Sequence, residues 1–189
     1  MTLKICAIDL DGCLCQYPKA WVDFVNEKLD VADKFKDLNQ IKEEISFKKY
    51  KDLKQQYRTS GIKATLPIIK GASEFTHRLK ADGYMIIILT ARPFYQIKEV
   101  FRDTLYWFKQ NNIAHDLVFA GADKHIKILK YFEELEFMVE DNAGIANKVA
   151  KAGYKVYLVD NKYNQQKIEP NVIRIKKLSE VREDGKTKS

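Results

Sequence analysis

Short apolar runs along the chain alternate with segments in which apolar residues recur at helical spacing. The run Lys4–Ile8 predicts a first strand, and Tyr84–Leu89 predicts a strand without a charged or strongly polar residue. Such an uninterrupted run is typical of a parallel sheet that is covered by helices on both faces. Four later runs also predict strands: Leu117–Ala120, Phe137–Glu140, Lys155–Val159 and Val172–Ile175.

Helices are predicted in the segments between these runs. The periodicity places them at Ala72–Ala81, Tyr95–Gln110, Lys124–Phe132 and Ala143–Ala152, and glycines at positions 83 and 153 end two of them. Strands that alternate with helices through short connections predict an α/β fold with a doubly wound, Rossmann-like parallel sheet.

The connection between the first two strands is much longer than one crossover helix requires. It includes a charged stretch, Leu38–Tyr57, with helical periodicity. We therefore expect residues 17–67 to form a small helical cap over the carboxyl ends of the strands, where such sheets place their binding sites. Residues 1–16 and 68–182 would form the core domain, and the polar residues 183–189 a flexible tail.

Composition indicates a globular protein. Apolar residues make up 46% of the chain and charged residues 31%. No apolar run approaches the ~18 residues of a membrane-spanning helix. The N-terminal residues lack a signal-peptide pattern, and the three cysteines have neither disulfide-like nor zinc-like spacing. We expect free thiols, a cytoplasmic location and no membrane partner.

The net charge of +7, from 33 basic and 26 acidic residues, favours anionic ligands. It does not distinguish a nucleotide from a nucleic acid or a sugar phosphate. The basic residues are scattered along the chain and form no dense cluster.

Polar groups follow four of the predicted strands. They are Asp9-Leu10-Asp11-Gly12, Thr90-Ala91-Arg92, Ala122-Asp123-Lys124 and Glu140-Asp141-Asn142. Taken singly, each has a common structural explanation, such as a turn, a helix N-cap or a solvated helix start. Because the carboxyl ends of parallel strands meet at one edge of the sheet, we expect all four groups to converge.

The chemistry of the four groups together indicates phosphoryl transfer. An EF-hand calcium loop starting at Asp9 is excluded, because its fifth and twelfth positions would be Cys13 and Ala20. Oxygen ligands from Asp9, Asp11 and Asp141 instead suit Mg²⁺. A hydroxyl and a lysine complete the groups needed to position and neutralise a phosphoryl group. Arg92 either binds a second phosphate or pairs with a helix.

These motifs resemble those of the haloacid dehalogenase superfamily of phosphatases, and especially its members with a helical C1-type cap. The resemblance spans Ile5 to about Asp160 and rests on Ile8–Gly12, Ile88–Thr90, Lys124 and Glu140-Asp141. The stretch from Val139 to Gly153 is similar to that of capped sugar-phosphate and nucleotide phosphatases.

The resemblance implies a role for each matching residue. Asp9 would be the nucleophile that forms an aspartyl-phosphate, and Asp11 a general acid and base with a raised pKa. Thr90, Ala91, Arg92 and Lys124 would bind the substrate, with Thr90 and Lys124 on the transferred phosphate, although Lys127 lies one turn after Lys124. Asp9, the Asp11 carbonyl and Asp141 would bind Mg²⁺, with Glu140 as a neighbouring or alternative ligand.

The same resemblance implies a substrate class. A helical cap that closes over the site favours a small phosphorylated substrate, and the sequence after Thr90 is similar to 5′- or 3′-(deoxy)nucleotidases. Alternatives are a polynucleotide 3′-phosphatase acting on nucleic-acid ends and a sugar-phosphate phosphatase or phosphomutase. A non-catalytic phosphate-binding module is disfavoured, because all the carboxylates and the lysine are present.

Overall fold

The computed structural model describes residues 3–31, 34–121, 125, 129–132 and 134–182. In this part of the chain a central sheet of six strands runs in the order β3-β2-β1-β4-β5-β6, and all neighbouring strands are parallel. The strands are β1 Lys4–Asp9, β2 Tyr84–Thr90, β3 Leu117–Ala120, β4 Leu135–Glu140, β5 Val156–Val159 and β6 Val172–Ile175. The predicted doubly wound α/β fold is confirmed.

The order of the strands reverses at β1. The chain proceeds from β1 to β2 and β3 on one side, and then crosses back to place β4 on the other side. In an open parallel sheet this reversal opens a crevice at the carboxyl ends of the strands. The loops after β1, β2 and β4 are therefore the ones that the topology brings together.

Six helices of the described residues connect or follow these strands: α1 Lys19–Lys28, α2 Leu38–Glu44, α3 Phe47–Thr59, α4 Ala72–Ala81, α5 Lys98–Gln110 and α6 Ala143–Lys151. Helix α4 has the predicted bounds. The predicted helix Lys124–Phe132 lies mostly outside the described residues, as does the predicted tail 183–189.

Two predicted helices differ from the structure. The charged stretch Leu38–Tyr57 forms two helices, because Ser46 is extended and its Oγ accepts a hydrogen bond from the Lys49 backbone, which starts α3. Helix α5 begins at Lys98, after a turn in which the Pro93 carbonyl accepts from the backbone of Gln96 and Ile97.

Three groups of buried apolar residues form the core. Two of them cover the opposite faces of the sheet, and alternate residues of β2, such as Ile86 and Ile87, belong to different groups. The third lies within the helical segment between β1 and α4 and includes Trp21, Phe24 and Tyr57. This segment therefore has a small core of its own.

Cys6, Cys13 and Cys15 are buried and free, as expected. In the described part of the chain, no helix has the length and apolar character required to cross a membrane.

Candidate active site

The loop after β1 brings Asp9 and Asp11 to one cavity. The chain turns tightly here, with the backbone N–H groups of Leu14 and Cys15 donating to the Leu10 carbonyl at 3.0 and 3.1 Å. Gly12 has a φ of +95°, which favours glycine. A Cβ on Gly12 would also lie 2.0 Å from Asp141 Oδ2, so glycine lets the loops after β1 and β4 approach each other.

The segment after β2 contributes a hydroxyl and a buried guanidinium. Thr90 is 1% exposed and lines the cavity. It does not cap α5, which begins after Ile97, so the helix-cap explanation for Thr90 does not apply to α5. Arg92 is 3% exposed, and its Nη1 donates to Thr104 Oγ1 on α5 at 2.7 Å. Arg92 thus pairs with a helix, one of the two roles considered for it.

Asp11 lies between two cations that come from different parts of the fold. Arg92 donates to it through Nε at 3.0 Å and Nη2 at 2.6 Å. Lys63, from the short helical turn Ile62–Ala64 after α3, donates to both Asp11 oxygens at 3.1 and 3.0 Å. This lysine is 5% exposed. The Asp11 carboxylate is therefore held by the core and by the helical segment together.

This environment contradicts the expected raised pKa of Asp11. Burial alone would raise the pKa, but the charges and hydrogen bonds of Arg92 and Lys63 outweigh burial and hold it well below the usual range of a carboxyl group. Asp11 is ionised as long as both cations remain paired with it. The expectation considered the neighbouring carboxylates and did not include these two cations.

Strand β4 ends at Glu140, and Asp141 follows it; these residues are 1% and 8% exposed. Glu140 Oε1 accepts from the backbone N–H groups of Asp141 and Asn142 at 3.1 and 2.9 Å. Asn142 then caps α6, accepting from the N–H groups of Gly144 and Ile145. The strand end and the helix start are thus joined in one hydrogen-bonded turn.

Asp141 is also fixed from the segment after β5. The Tyr163 hydroxyl donates to Asp141 Oδ2, and Asn164 Nδ2 donates to the Asp141 carbonyl at 2.7 Å. Asn164 is itself buried and also donates to the Val159 carbonyl at 2.8 Å. The orientation of Asp141 therefore depends on β4, α6 and β5.

Asp9 meets Glu140 and Asp141, at the end of β4, in a buried cluster. Carboxylate oxygens of Asp9 and Asp141 and the Sγ atom of Cys13 all lie within 4.8 Å of one another. Carboxylate oxygens of Asp9 and Glu140 and a ring nitrogen of His125 form a second group within the same distance. Burial and then the neighbouring charge of Glu140 raise the pKa of Asp9 well above its usual value. Burial also raises the pKa of Glu140, and raises that of Asp141 to about 6.

This acidic cluster fits a hard divalent cation. It supplies carboxylate oxygens, and Glu140 Oε2 is buried without a hydrogen-bond partner among the described residues. Cys13 does not suit a hard cation as a ligand, because sulfur is a soft donor and hard divalent cations prefer oxygen. The Asp11 side chain pairs with Arg92 and Lys63. The ligand expected from Asp11 is its backbone carbonyl, and that expectation stays a prediction.

The cavity between the sheet edge and the helical segment has a volume of about 250 Å³. Ligand pockets usually span roughly 300–1,000 Å³, so this cavity suits a small ligand. The residues that line it include Asp9, Asp11, Thr90, Ala91, Arg92, Glu140 and Asp141 from the core, and Tyr17, Lys54, Tyr57, Arg58 and Lys63 from the helical segment.

Most candidate residues from the sequence line this cavity: the three aspartates, Glu140, Thr90, Ala91 and Arg92. Lys124 and its alternative Lys127 lie outside the described residues. Two aromatic residues of the helical segment, Tyr17 and Tyr57, also line the cavity. Trp21 is fully buried in the core of the helical segment.

Sequence reasoning did not identify the cations of the helical segment or Tyr163, which also line the cavity. Lys54 and Lys63 lie in a segment whose charge is typical of a solvated helical surface, so no pattern distinguished them. Tyr163 follows β5, whose carboxyl end meets the same edge as β1 and β4. Its position after a strand was a usable signal.

A family model described as "5′ nucleotidase, deoxy (Pyrimidine), cytosolic type C protein" matches residues 3–183. A nucleotidase from Clostridium acetobutylicum is 24% identical over 183 residues, which cover 95% of this chain and 91% of the relative. The match to the family model thus extends over nearly the whole chain.

Solved structures show the same fold. A haloacid dehalogenase-like family hydrolase from Streptococcus pneumoniae aligns with a TM-score of 0.66 and 12% identity, covering 94% of this chain and 96% of that one. A D,D-heptose 1,7-bisphosphate phosphatase from B. bronchiseptica, complexed with magnesium and phosphate, aligns with a TM-score of 0.56 and 14% identity, covering 94% of both chains. With the family match, these findings show that the chain belongs to the cytosolic type C 5′-nucleotidase family of haloacid dehalogenase-like phosphatases and is a phosphoric monoester hydrolase.

Proposed function

We propose that this protein is a Mg²⁺-dependent nucleotidase that releases phosphate from nucleoside 5′- or 3′-monophosphates, including deoxynucleotides, through an aspartyl-phosphate on Asp9. The observation that carries the proposal is the separation of charge around two neighbouring aspartates. Asp9 lies in an acidic cluster that fits a cation, whereas Asp11 lies in a cationic one that fits a phosphate. The family match supports a nucleotide as substrate.

The acidic cluster identifies the residues that would hold the metal. Asp9, the Asp11 carbonyl and Asp141 would be its ligands, with Glu140 beside them. Bound Mg²⁺ would supply positive charge that keeps Asp9 ionised and offsets the repulsion between its carboxylate and an incoming phosphate. The heptose bisphosphate phosphatase of the same fold was crystallised with magnesium and phosphate, which supports this assignment.

In the first step, an Asp9 carboxylate oxygen attacks phosphorus, and the bond between phosphorus and the ester oxygen breaks. Asp11 gives a proton to the leaving alcohol. In the second step, water attacks the aspartyl-phosphate, Asp11 takes the proton from water, and phosphate leaves as the oxygen–phosphorus bond to Asp9 breaks. Thr90 would hold a phosphate oxygen, and we assign Lys124 the same role from the sequence alone.

The structure adds a condition to the proton transfer. Asp11 cannot carry a proton while Arg92 and Lys63 both pair with it. A phosphate group in the cavity would compete for the same donors and so raise the pKa of Asp11. Asp11 would then become an acid only when the substrate is in place.

The helical segment, residues 17–67, would act as the cap. It contributes the buried Lys63 and the aromatic walls Tyr17 and Tyr57 to the cavity. Closure over a site excludes water and restricts the size of the substrate. The small cavity therefore supports a mononucleotide better than the end of a nucleic-acid chain.

The test is phosphate release from an aryl phosphate and from a panel of nucleoside 5′- and 3′-monophosphates, with and without a chelator. We expect turnover that needs Mg²⁺, prefers nucleotides and is abolished in Asp9→Asn. Asp23→Asn, an exposed residue outside the cavity, is the matched control and should keep normal activity. An Asp9→Asn variant that retained most of its turnover would exclude Asp9 as the nucleophile.

A further inference from the structure

Helix α3 directs two cationic side chains into the candidate cavity. Lys54 and Arg58 are four residues apart, so they lie on the same face of the helix, and both line the cavity that contains Asp9 and Thr90. Neither has a role in the proposed phosphoryl transfer. What these two cations bind is not explained by the proposed chemistry.

The ammonium of Lys54 is fixed among aromatic rings. It donates to Tyr17 Oη at 2.7 Å and lies 4.2, 5.0 and 5.5 Å from the ring centroids of Trp21, Tyr17 and Tyr57. These contacts hold the side chain in one place at the cavity wall. They orient the ammonium group but provide no full negative charge to neutralise it.

The two cations of α3 differ from Lys63 and Arg92 in their pairing. In the described part of the chain, neither Lys54 nor Arg58 forms an ion pair, whereas Lys63 and Arg92 share Asp11. Like charges at this helical spacing repel each other. Burial, followed by the charge of Lys63, lowers the pKa of Lys54 to about 7; the charge of Asp11 offsets part of this effect, and Arg58 and Lys42 add to it. An anion at this wall would offset this repulsion.

We propose that Lys54 and Arg58 form a second anion subsite, which binds an acidic group of the substrate other than the phosphate that is hydrolysed. The preferred substrates would then be phosphomonoesters with two anionic groups, such as nucleoside 3′,5′-bisphosphates. This inference rests on the proposed function and makes its substrate class narrower. The hydrolysed phosphate lies against Asp9 and Thr90, and the second group lies against α3.

The experiment measures kcat/KM for a nucleoside 5′-monophosphate and for the corresponding 3′,5′-bisphosphate. The wild-type protein should prefer the bisphosphate at least tenfold. Lys54→Met should reduce that preference by about tenfold, mainly through KM, because a charged hydrogen bond to the second group is lost. Arg58→Gln should also reduce the preference for the bisphosphate, and Lys54→Arg should keep most of that preference. Lys48→Met is the matched control, since Lys48 is exposed on the same helix and does not line the cavity.

Glucose 1-phosphate and glucose 1,6-bisphosphate form a second pair that separates the two proposals. If nucleotides are not hydrolysed but the glucose pair shows a Lys54-dependent preference, the subsite stands and the nucleotidase proposal fails. If nucleotides are hydrolysed with equal kcat/KM for the two forms, or if Lys54→Met lowers both equally, the subsite is wrong. A folded Lys54→Met protein, verified by its melting temperature, is required for either conclusion.

Discussion

Asp9 and Asp11 are two residues apart and have opposite electrostatic environments. Burial and the neighbouring carboxylates raise the pKa of Asp9, whereas two cations outweigh the burial of Asp11 and lower its pKa. Pairs of titratable groups whose environments separate their pKa values are typical of acid–base active sites. The division of roles that we propose for these residues follows from this difference.

Asp11→Asn should affect substrates according to their leaving groups. The variant keeps the shape of the side chain but cannot transfer a proton, so kcat should fall about 10²–10⁴-fold for an alkyl or nucleoside ester. An aryl phosphate with a good leaving group should lose much less in the step that breaks the ester. Equal losses on both classes would contradict the role of Asp11 as the acid.

Gly12→Ala tests the close approach of the loops after β1 and β4. The new Cβ would clash with the Asp141 carboxylate and would also occupy a positive φ, so we expect large losses of Mg²⁺-dependent activity and of stability. Gly83→Ala is a matched control, because Gly83 has a φ of +85° and nothing within 4 Å of its added Cβ. The control should lose only about 1–2 kcal/mol of stability in thermal unfolding, because alanine is disfavoured at a positive φ. Equal activity in the two variants would disprove the steric argument.

At the residue scale, the sequence predicts what lies directly after a strand. Asp9, Thr90, Arg92 and Asp141 were identified because parallel strands end at one edge, and the structure places them at one cavity. Lys63 was not identified, since its pairing with Asp11 joins residues 52 positions apart. Such a contact depends on how the helical segment packs onto the core, and no local pattern contains that information.

At the scale of elements, apolar runs predicted strands more accurately than helical periodicity predicted helix ends. Strand β2 continues the predicted run by one residue, because Thr90 still pairs with Ala120. The start of α5 and the break before α3 depend on backbone turns at Pro93 and Ser46. Periodicity reports which face is buried and says little about where a turn interrupts a helix.

Asn142→Ala tests whether the start of α6 positions the acidic turn. The cap accepts two backbone hydrogen bonds at 2.9 and 3.1 Å, and its loss should cost about 0.5–2 kcal/mol of stability in chemical unfolding. Because Glu140 and Asp141 share this turn, kcat/KM should also fall, and Asn142→Asp should restore both. Ser46→Ala removes the cap of α3, two turns before Lys54, and should lower stability with a smaller effect on kcat/KM. Equal effects of the two alanine variants on kcat/KM would contradict a positioning role.

At the scale of the whole molecule, the fold brings three carboxyl groups together at the cost of stability. Asp9, Glu140 and Asp141 have raised pKa values in the folded protein. The folded state therefore holds more protons than the unfolded chain at pH values above about 4, where unfolded carboxyl groups ionise. Because of Asp141, the stability of the metal-free protein should decrease as the pH rises from about 4 to about 6. Asp9 and Glu140 should extend this decrease to higher pH. The lowered pKa of Asp11 instead stabilises the folded state, and this contribution is lost only as the pH falls below about 4.

Thermal unfolding of the metal-free protein between pH 5 and 7 tests this argument without an activity assay, below the range in which the lowered pKa of Lys54 adds a change of opposite sign. We expect the melting temperature to fall as the pH rises, and added Mg²⁺ to raise it most at the upper end of this range, where the cluster is most charged. A gain of 1 kcal/mol corresponds to roughly 2–4 °C for a chain of this size. Asp9→Asn removes one of the three charges, so at neutral pH the metal-free variant should melt at a higher temperature than the wild type and respond less to Mg²⁺. A wild-type melting temperature that rose steadily with pH, or that did not respond to Mg²⁺, would show that these carboxylates do not form a cation site.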